Sequence, residues 1–204
     1  MSKYLLPKGY LSWSAMDLWI RNPARYKREY FENASRLDTK YLRFGKAMAK
    51  MIEDGTYKEV LPDLEVYELP EHEVRVEIRD VPLLSYIDSY DPSFHSFREY
   101  KTGKNGWDQA KVQKHGQLLF YAVALRKKYG QTPFECHLDW IETREEAEET
   151  DDFWAQADKK LALTGRIKTF VRHFDDRELD RMEGVIEQVA SQIDAAYRQF
   201  IGEL

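Results

Sequence analysis

Apolar and polar side chains alternate along three stretches in the middle of the chain, a pattern typical of strands with one buried face. The first stretch covers residues 72–80, where every second residue from Val74 to Ile78 is apolar. The second is predicted to end at Asp88, and the third covers residues 97–101 beyond a turn that contains proline. These segments predict an antiparallel meander of three strands.

Helical spacing of apolar residues predicts helices in the N-terminal part of the chain. Ser12 or Ser14 can cap a helix that ends just before Pro23, because the residue preceding a proline disfavours helical geometry. Pro23 suits the first position of the next helix. A further helix is predicted near 41–54, so residues 1–60 are expected to form a helical part of the fold.

A helix predicted from Asp108 to about Lys128 separates the strand at 97–101 from another alternating segment at 134–142. A strand-helix-strand crossover favours parallel pairing of the two strands that it joins. We therefore expect an α/β fold with a mixed central sheet flanked by helices.

The C-terminal third predicts an acidic loop or hairpin connection over 142–152, an extended segment over 166–174 and a helix that ends near residue 200. No repeat or domain boundary is evident. We therefore predict one domain over residues 1–204, with the sheet core and the C-terminal helix in 61–204.

Composition limits the class of protein. Hydrophobic residues make up 43% of the chain and aromatic residues 14%, which excludes disorder. No apolar run is long enough to span a membrane, and the N-terminus has no signal-peptide core, so a cytoplasmic protein without a membrane partner is expected. Cys136 is the single cysteine, which excludes an internal disulfide or a four-cysteine cluster; it is predicted to be buried.

Charge is distributed unevenly along the chain. The net charge is −5, yet residues 1–50 contain eleven Lys and Arg against four Asp and Glu, a local net charge of +7. This basic segment predicts contacts with phosphate groups, and the alternative is a solvated helix surface. The candidate phosphate contacts are Arg21, Arg25, Lys27 and Arg28.

Candidate chemistry is concentrated where the second and third predicted strands meet. Glu99 and Lys101 are two residues apart on one strand, so both side chains point to the same face. A hairpin would bring Asp88 beside Glu99. Two carboxylates next to a lysine can bind a hard divalent cation such as Mg²⁺, which completes its coordination with water and phosphate oxygens.

The ordered set formed by Asp88, the Glu99-Tyr100-Lys101 strand and the Gln117-x-x-x-Tyr121 helix resembles the PD-(D/E)XK nuclease superfamily. The likeness is to its RecB-like branch, which includes CRISPR-associated exonucleases. It implies a restriction-endonuclease-like core and a DNA nuclease, with an exonuclease as the expected type, acting in recombination, repair or phage- or CRISPR-related processing.

The resemblance also implies roles for individual residues. Asp88, Glu99 and the carbonyl of Tyr100 would hold Mg²⁺ or Mn²⁺, and Lys101 would orient or activate the attacking water. Gln117 and Tyr121 would position the DNA backbone or the lysine. The basic loop after the strand adds Lys104 as a candidate phosphate contact, and no iron-sulfur cluster is expected.

One position departs from the family pattern. Its first motif is Gly-x-x-x-His, whereas here Gly45 is followed by Ala49, which supplies no ligand. Glu53 lies one turn further on and is a candidate substitute, with a solvated surface role as the alternative. The competing interpretation is a weakened or inactive nuclease fold that binds nucleic acid or a protein partner, and a homo-oligomer is left open. Glu73 and His115 are predicted to be surface residues.

Overall fold

The computed structural model describes residues 3–36, 38–147 and 159–203. Within these ranges the helices are α1 Trp13–Arg21, α2 Pro23–Tyr30, α3 Lys40–Glu53, α4 Gln109–Gln113, α5 Gly116–Tyr129 and α6 Asp176–Ile201, with a short 3₁₀ turn at Thr56–Glu59. The strands are β1 Leu69–Ile78, β2 Val81–Asp91, β3 Ser96–Gly103, β4 Cys136–Ala147 and β5 Lys159–Arg172.

The five strands form one mixed sheet in chain order, β1-β2-β3-β4-β5. β1, β2 and β3 are the predicted antiparallel meander, and β3 pairs in parallel with β4 across the segment that contains α4 and α5. β4 and β5 are antiparallel. The predicted α/β class, the mixed sheet and the parallel crossover are therefore confirmed.

A two-residue turn joins β1 to β2. Arg79 and Asp80 both have positive φ, at 48° and 66°, as a tight turn between right-twisted strands requires. The turn pairs Ile78 with Val81 and thereby sets the register of the whole hairpin. β2 does not end at Asp88 as predicted, because its pairing with β3 continues to Asp91.

Side-chain caps begin the helices where the sequence predicts them. Ser12 caps α1, and Asn22 both ends α1 and caps α2, which has Pro23 in its first turn. Asp175 and Glu178 form a reciprocal capping box at the start of α6.

No helix within the described ranges is long and apolar enough to cross a membrane.

The predicted helix from 108 to 128 is wrong in one respect, because it is broken at Lys114 and His115 into α4 and α5. Gly116 explains the second start. A Cβ at this position would collide with the Trp13 indole of α1, so only glycine lets α1 pack this closely against the start of α5.

The prediction of a loop over the acidic segment is wrong for its first half. β4 continues to Ala147, where pairs such as Glu146 with Lys160 join it to β5. Residues 148–152 of that prediction lie outside the described ranges. β5 begins at Lys159, earlier than the predicted extended segment, because it continues through Gly165, a residue that weakens the strand pattern.

Two apolar clusters cover the two faces of the sheet. Trp140 and Ile141 are neighbours on β4 and belong to different clusters, as successive strand residues must. The larger cluster includes residues of α1, α2, α5 and α6, and the smaller one is formed against α3. Cys136 is fully buried in the larger cluster, as predicted.

Candidate active site

Glu99 and Lys101 lie on the same face of β3, as strand alternation predicts. The Lys101 ammonium donates a hydrogen bond to Oε1 of Glu99 and a second one to Oε1 of Gln117, the latter at 2.8 Å. Glu99 is 1% exposed. Strand β3 and helix α5 therefore hold the lysine between them.

Helix α5 places the glutamine and the tyrosine of the motif on one stripe. Gln117 Nε2 donates to the Tyr121 hydroxyl at 2.9 Å, one helical turn away. A continuous polar row Lys101-Gln117-Tyr121 results. Gln113, four residues before Gln117, belongs to α4 on the other side of the helix break.

Asp88 occupies an opening between β2 and β3. The pairing of these strands stops at Ser89 with Arg98, so the next position places Asp88 opposite Glu99. Here the Asp88 carboxylate accepts a hydrogen bond from the backbone N–H of Tyr100 at 2.7 Å. The carboxylate thus accepts a hydrogen bond from an N–H group that would bond to the neighbouring strand in a regular sheet. This bond holds Asp88 beside Glu99.

A cavity of about 240 Å³ joins these groups to α3. Gly45 and Ala49 line the cavity together with Asp88 and Glu99. Ala49, the position at which the family that the sequence resembles has histidine, therefore faces the candidate site. Glu53 is exposed and is not among the lining residues. The remaining lining residues are Met48, Ile52, Glu71, Tyr100, Lys101, Thr102 and Gln117.

The carboxyl groups of Asp88 and Glu99 and the ammonium group of Lys101 lie close together in a poorly solvated cavity. Burial, and then the charge of Glu99, raise the pKa of Asp88 well above its usual value, while the Lys101 charge opposes the shift. Burial also raises the pKa of Glu99. For Lys101, burial alone would lower the pKa, but the charges of Glu99 and Asp88 outweigh it and the pKa is raised.

The donor set fits a divalent cation. Glu99 Oε2 is buried and has no hydrogen-bond partner, so one carboxylate oxygen remains available beside Asp88. Within the described ranges, no group of three or more His, Cys, Asp or Glu side chains converges on a metal position. Two carboxylates suit Mg²⁺ or Mn²⁺, whose remaining ligands are water and substrate oxygens.

Two solved structures are similar to the chain over nearly its whole length. One is the crystal structure of a "Putative exonuclease" from Eubacterium rectale, with a TM-score of 0.56 and 11% sequence identity over 97% of this chain and 83% of that chain. The other is a phage related exonuclease from Haemophilus somnus 129PT, with a TM-score of 0.55 and 18% identity over 96% and 86% of the two chains. No protein-family model and no curated protein sequence matches the chain.

The fold is restriction-endonuclease-like. A second cavity, of about 270 Å³, lies next to the Asp88–Glu99 cavity, and Gln117 lines both. Tyr121 lines the second cavity, together with Lys8 and Arg36. Both cations lie over the ring of Tyr30, at 5.2 and 4.8 Å from its centroid, and Arg36 also pairs with Glu29 at 3.3 Å. The charge count of the N-terminal segment includes these two residues, but no motif singled them out.

The predicted phosphate contacts lie elsewhere on this restriction-endonuclease-like fold. Arg21 pairs with Asp17, and Arg25 pairs with Glu29. Lys27 and Arg28 are exposed on α2, and Arg28 lines a third pocket with Arg25 that shares no lining residue with either cavity. Lys104 is exposed in the loop directly after β3. The structure thus brings Lys104, rather than the α2 residues, next to the strand that carries Lys101.

His115 is not the surface residue that the sequence predicts. Its ring packs edge-on against Trp13 and lies 4.9 Å from the ring of Trp107, and its Nε2 is buried without a hydrogen-bond partner. Burial, followed by the charges of Lys101 and Arg172, lowers the pKa of His115 to about 4. The imidazole is therefore neutral near pH 7. Glu73, by contrast, is exposed as predicted and pairs with Arg75.

Proposed function

We propose that the chain is a divalent-metal-dependent deoxyribonuclease of the PD-(D/E)XK superfamily. The observation that carries the proposal is the convergence of Asp88, Glu99, Lys101 and Gln117 on one cavity, with Lys101 fixed by hydrogen bonds from two elements. Asp88 and Glu99 would hold the cation, and the Tyr100 carbonyl is proposed as a further oxygen ligand.

The side chains divide the remaining work. A bound cation would polarise a phosphoryl oxygen and lower the pKa of water. Lys101 is protonated, so it orients a water through its N–H groups and stabilises charge on the phosphate. Tyr121 accepts a hydrogen bond from Gln117, which leaves its own hydroxyl hydrogen free to donate to a phosphate oxygen. Burial raises the pKa of Tyr121, which keeps that hydrogen in place.

DNA and exonuclease action are the finer part of the proposal. Both similar solved structures are described as exonucleases. Contacts to phosphate groups carry no information about the bases, so we expect cleavage with little or no sequence preference. Processing of DNA in recombination, repair or phage- or CRISPR-related reactions is the proposed setting.

A second candidate function is the binding of nucleic acid or of a protein partner without cleavage. The specific observation in its favour is Ala49, which faces the cavity at the position where the family that the sequence resembles has a metal-binding histidine. Asp88, Glu99 and Lys101 are nevertheless all in place. We therefore rank catalysis first.

Degradation assays on linear and covalently closed circular DNA, with Mg²⁺, Mn²⁺ or EDTA, test the proposal. Linear DNA should be degraded with either metal, while EDTA should stop the reaction and circular DNA should survive. Lys101→Ala should lower the rate by about 10²–10⁴-fold, the usual contribution of a positioned catalytic side chain. Lys127→Ala, at an exposed position on the same helix as Gln117, is the matched control. Retention of DNA without cutting in either metal would favour the second function.

A further inference from the structure

Three carboxylates lie in one row across β1, β2 and β3. In the pairing of β1 with β2, Pro70 is opposite Ser89 and His72 is opposite Ile87, so Glu71 is opposite Asp88. The pairing of β2 with β3 in turn places Asp88 opposite Glu99. Residues directly opposite one another on adjacent strands project to the same face, and like charges in that arrangement are destabilising.

Glu71 also interrupts its own strand. Its φ is +49°, a left-handed conformation that is uncommon for residues other than glycine, and the position is skipped in the regular pairing of β1 with β2. Such conformations cost about 1–3 kcal/mol and are concentrated at functional sites. The side chain is half-buried and lines the cavity that contains Asp88 and Glu99.

We propose that Glu71 is a third carboxylate of the cation site and supplies, from β1, the ligand that Ala49 does not supply from α3. The inference rests on the proposed function, since it assumes a cation between Asp88 and Glu99. Glu71 would bind the cation directly after a change of rotamer, or would accept hydrogen bonds from its coordinating water. Oε2 of Glu99 is buried and has no hydrogen-bond partner, so it is an independent candidate ligand atom in the same cavity.

Mutual repulsion disfavours a close approach of the three carboxylates. Burial, and then the charges of Glu53 and Glu99, raise the pKa of Glu71. A divalent cation would reverse the balance, because each carboxylate would then face a positive charge in a medium of low polarity. The three side chains are therefore expected to draw together only when the cation binds.

Titration of the full chain with Mn²⁺ in the absence of nucleic acid, followed by electron paramagnetic resonance and calorimetry, tests the inference. Glu71→Gln should weaken Mn²⁺ binding about 10-fold or more, the typical loss when a group supporting a metal site is removed. Glu71→Gly should do the same while relieving the backbone strain. Glu77→Gln, an exposed change on the same strand, should leave the affinity unchanged.

Asp88→Asn distinguishes a failure of the role proposed for Glu71 from a failure of the proposed function. Loss of Mn²⁺ binding in Asp88→Asn with full binding in both Glu71 variants would overturn the role of Glu71 and leave the proposed function standing. Full binding in Asp88→Asn would overturn the proposed function itself. Equal losses in the Glu71 variants and in Glu77→Gln would also contradict the inference, since they would reflect general charge. Thermal unfolding in EDTA verifies that each variant is folded.

Discussion

The ionised form of Asp88 is costly in the folded protein. Its carboxylate lies beside Glu99 in a poorly solvated cavity, and its pKa is raised by burial first and by Glu99 second. A carboxylate whose pKa is higher in the folded state than in the unfolded chain favours folding at low pH. That contribution is present below about pH 4 and is lost as the pH rises through the raised pKa.

Asp88→Asn should therefore stabilise the metal-free protein at neutral pH. The amide keeps an oxygen that can accept the Tyr100 N–H but removes the charge. Thermal unfolding in EDTA should show a higher melting temperature for Asp88→Asn at pH 8 and a smaller difference at pH 5; for a chain of this size, about 2–4 °C corresponds to 1 kcal/mol. Asp63→Asn, at an exposed position, is the control. An equal difference at both pH values would contradict the explanation.

At the scale of secondary-structure elements, the position of α5 decides whether Lys101 has its second partner. The start of this helix is packed against Trp13 of α1, and the packing depends on the absence of a side chain at Gly116. Gln117 is the next residue. A shift of the helix start would therefore move the amide that accepts a hydrogen bond from Lys101.

Gly116→Ala should lower stability by about 1–3 kcal/mol, the usual cost of overpacking, and should lower any nuclease activity as Gln117 is displaced. Gly184→Ala on α6 is a matched control, because an added Cβ there meets only Arg79 at 3.9 Å. Alanine is a better helix former than glycine by about 1 kcal/mol, so this control should be slightly stabilising. Chemical denaturation and the linear-DNA assay measure both effects. Unchanged stability of Gly116→Ala would show that α1 can retreat freely.

The same scale explains how much of the site could be predicted. Alternation placed Glu99 beside Lys101, and helical spacing placed Gln117 beside Tyr121, because both relations are local. Glu71 was not predicted, because its place depends on the register of a hairpin whose turn contains neither glycine nor asparagine. Glu73, two residues further along β1, is opposite Tyr86 and exposed. A turn centred on residues 79 and 80 was the missing information.

At the scale of the whole molecule, the acidic total conceals a basic N-terminal segment. Lys8 and Arg36 from this segment line the second cavity, which shares Gln117 with the candidate site. The exposed pair Lys27 and Arg28 lies on α2, and neither residue lines either cavity. If both pairs contributed only to the general field, they would be equivalent in binding DNA.

We expect Lys8→Glu/Arg36→Glu to weaken DNA binding more than Lys27→Glu/Arg28→Glu, a change of the same charge. Affinity should also fall steeply with salt, and the first double variant should reduce the slope of that dependence by about 2, one unit for each phosphate that is no longer neutralised. Fluorescence anisotropy with Ca²⁺ in place of Mg²⁺, from about 50 to 200 mM salt, measures both quantities. Equal effects of the two double variants would assign binding to the general field.

The two-residue turn at Arg79 and Asp80 determines which changes the chain can accept without disturbing the row of carboxylates. Because side chains on a strand alternate with a period of two, one added residue in the turn would move β1 by one position and send Glu71 to the opposite face of the sheet. Replacing either turn residue leaves that alignment intact. The length of the turn is therefore constrained by the candidate site, although no residue of the turn lines it, and its composition is limited to residues that accept a positive φ.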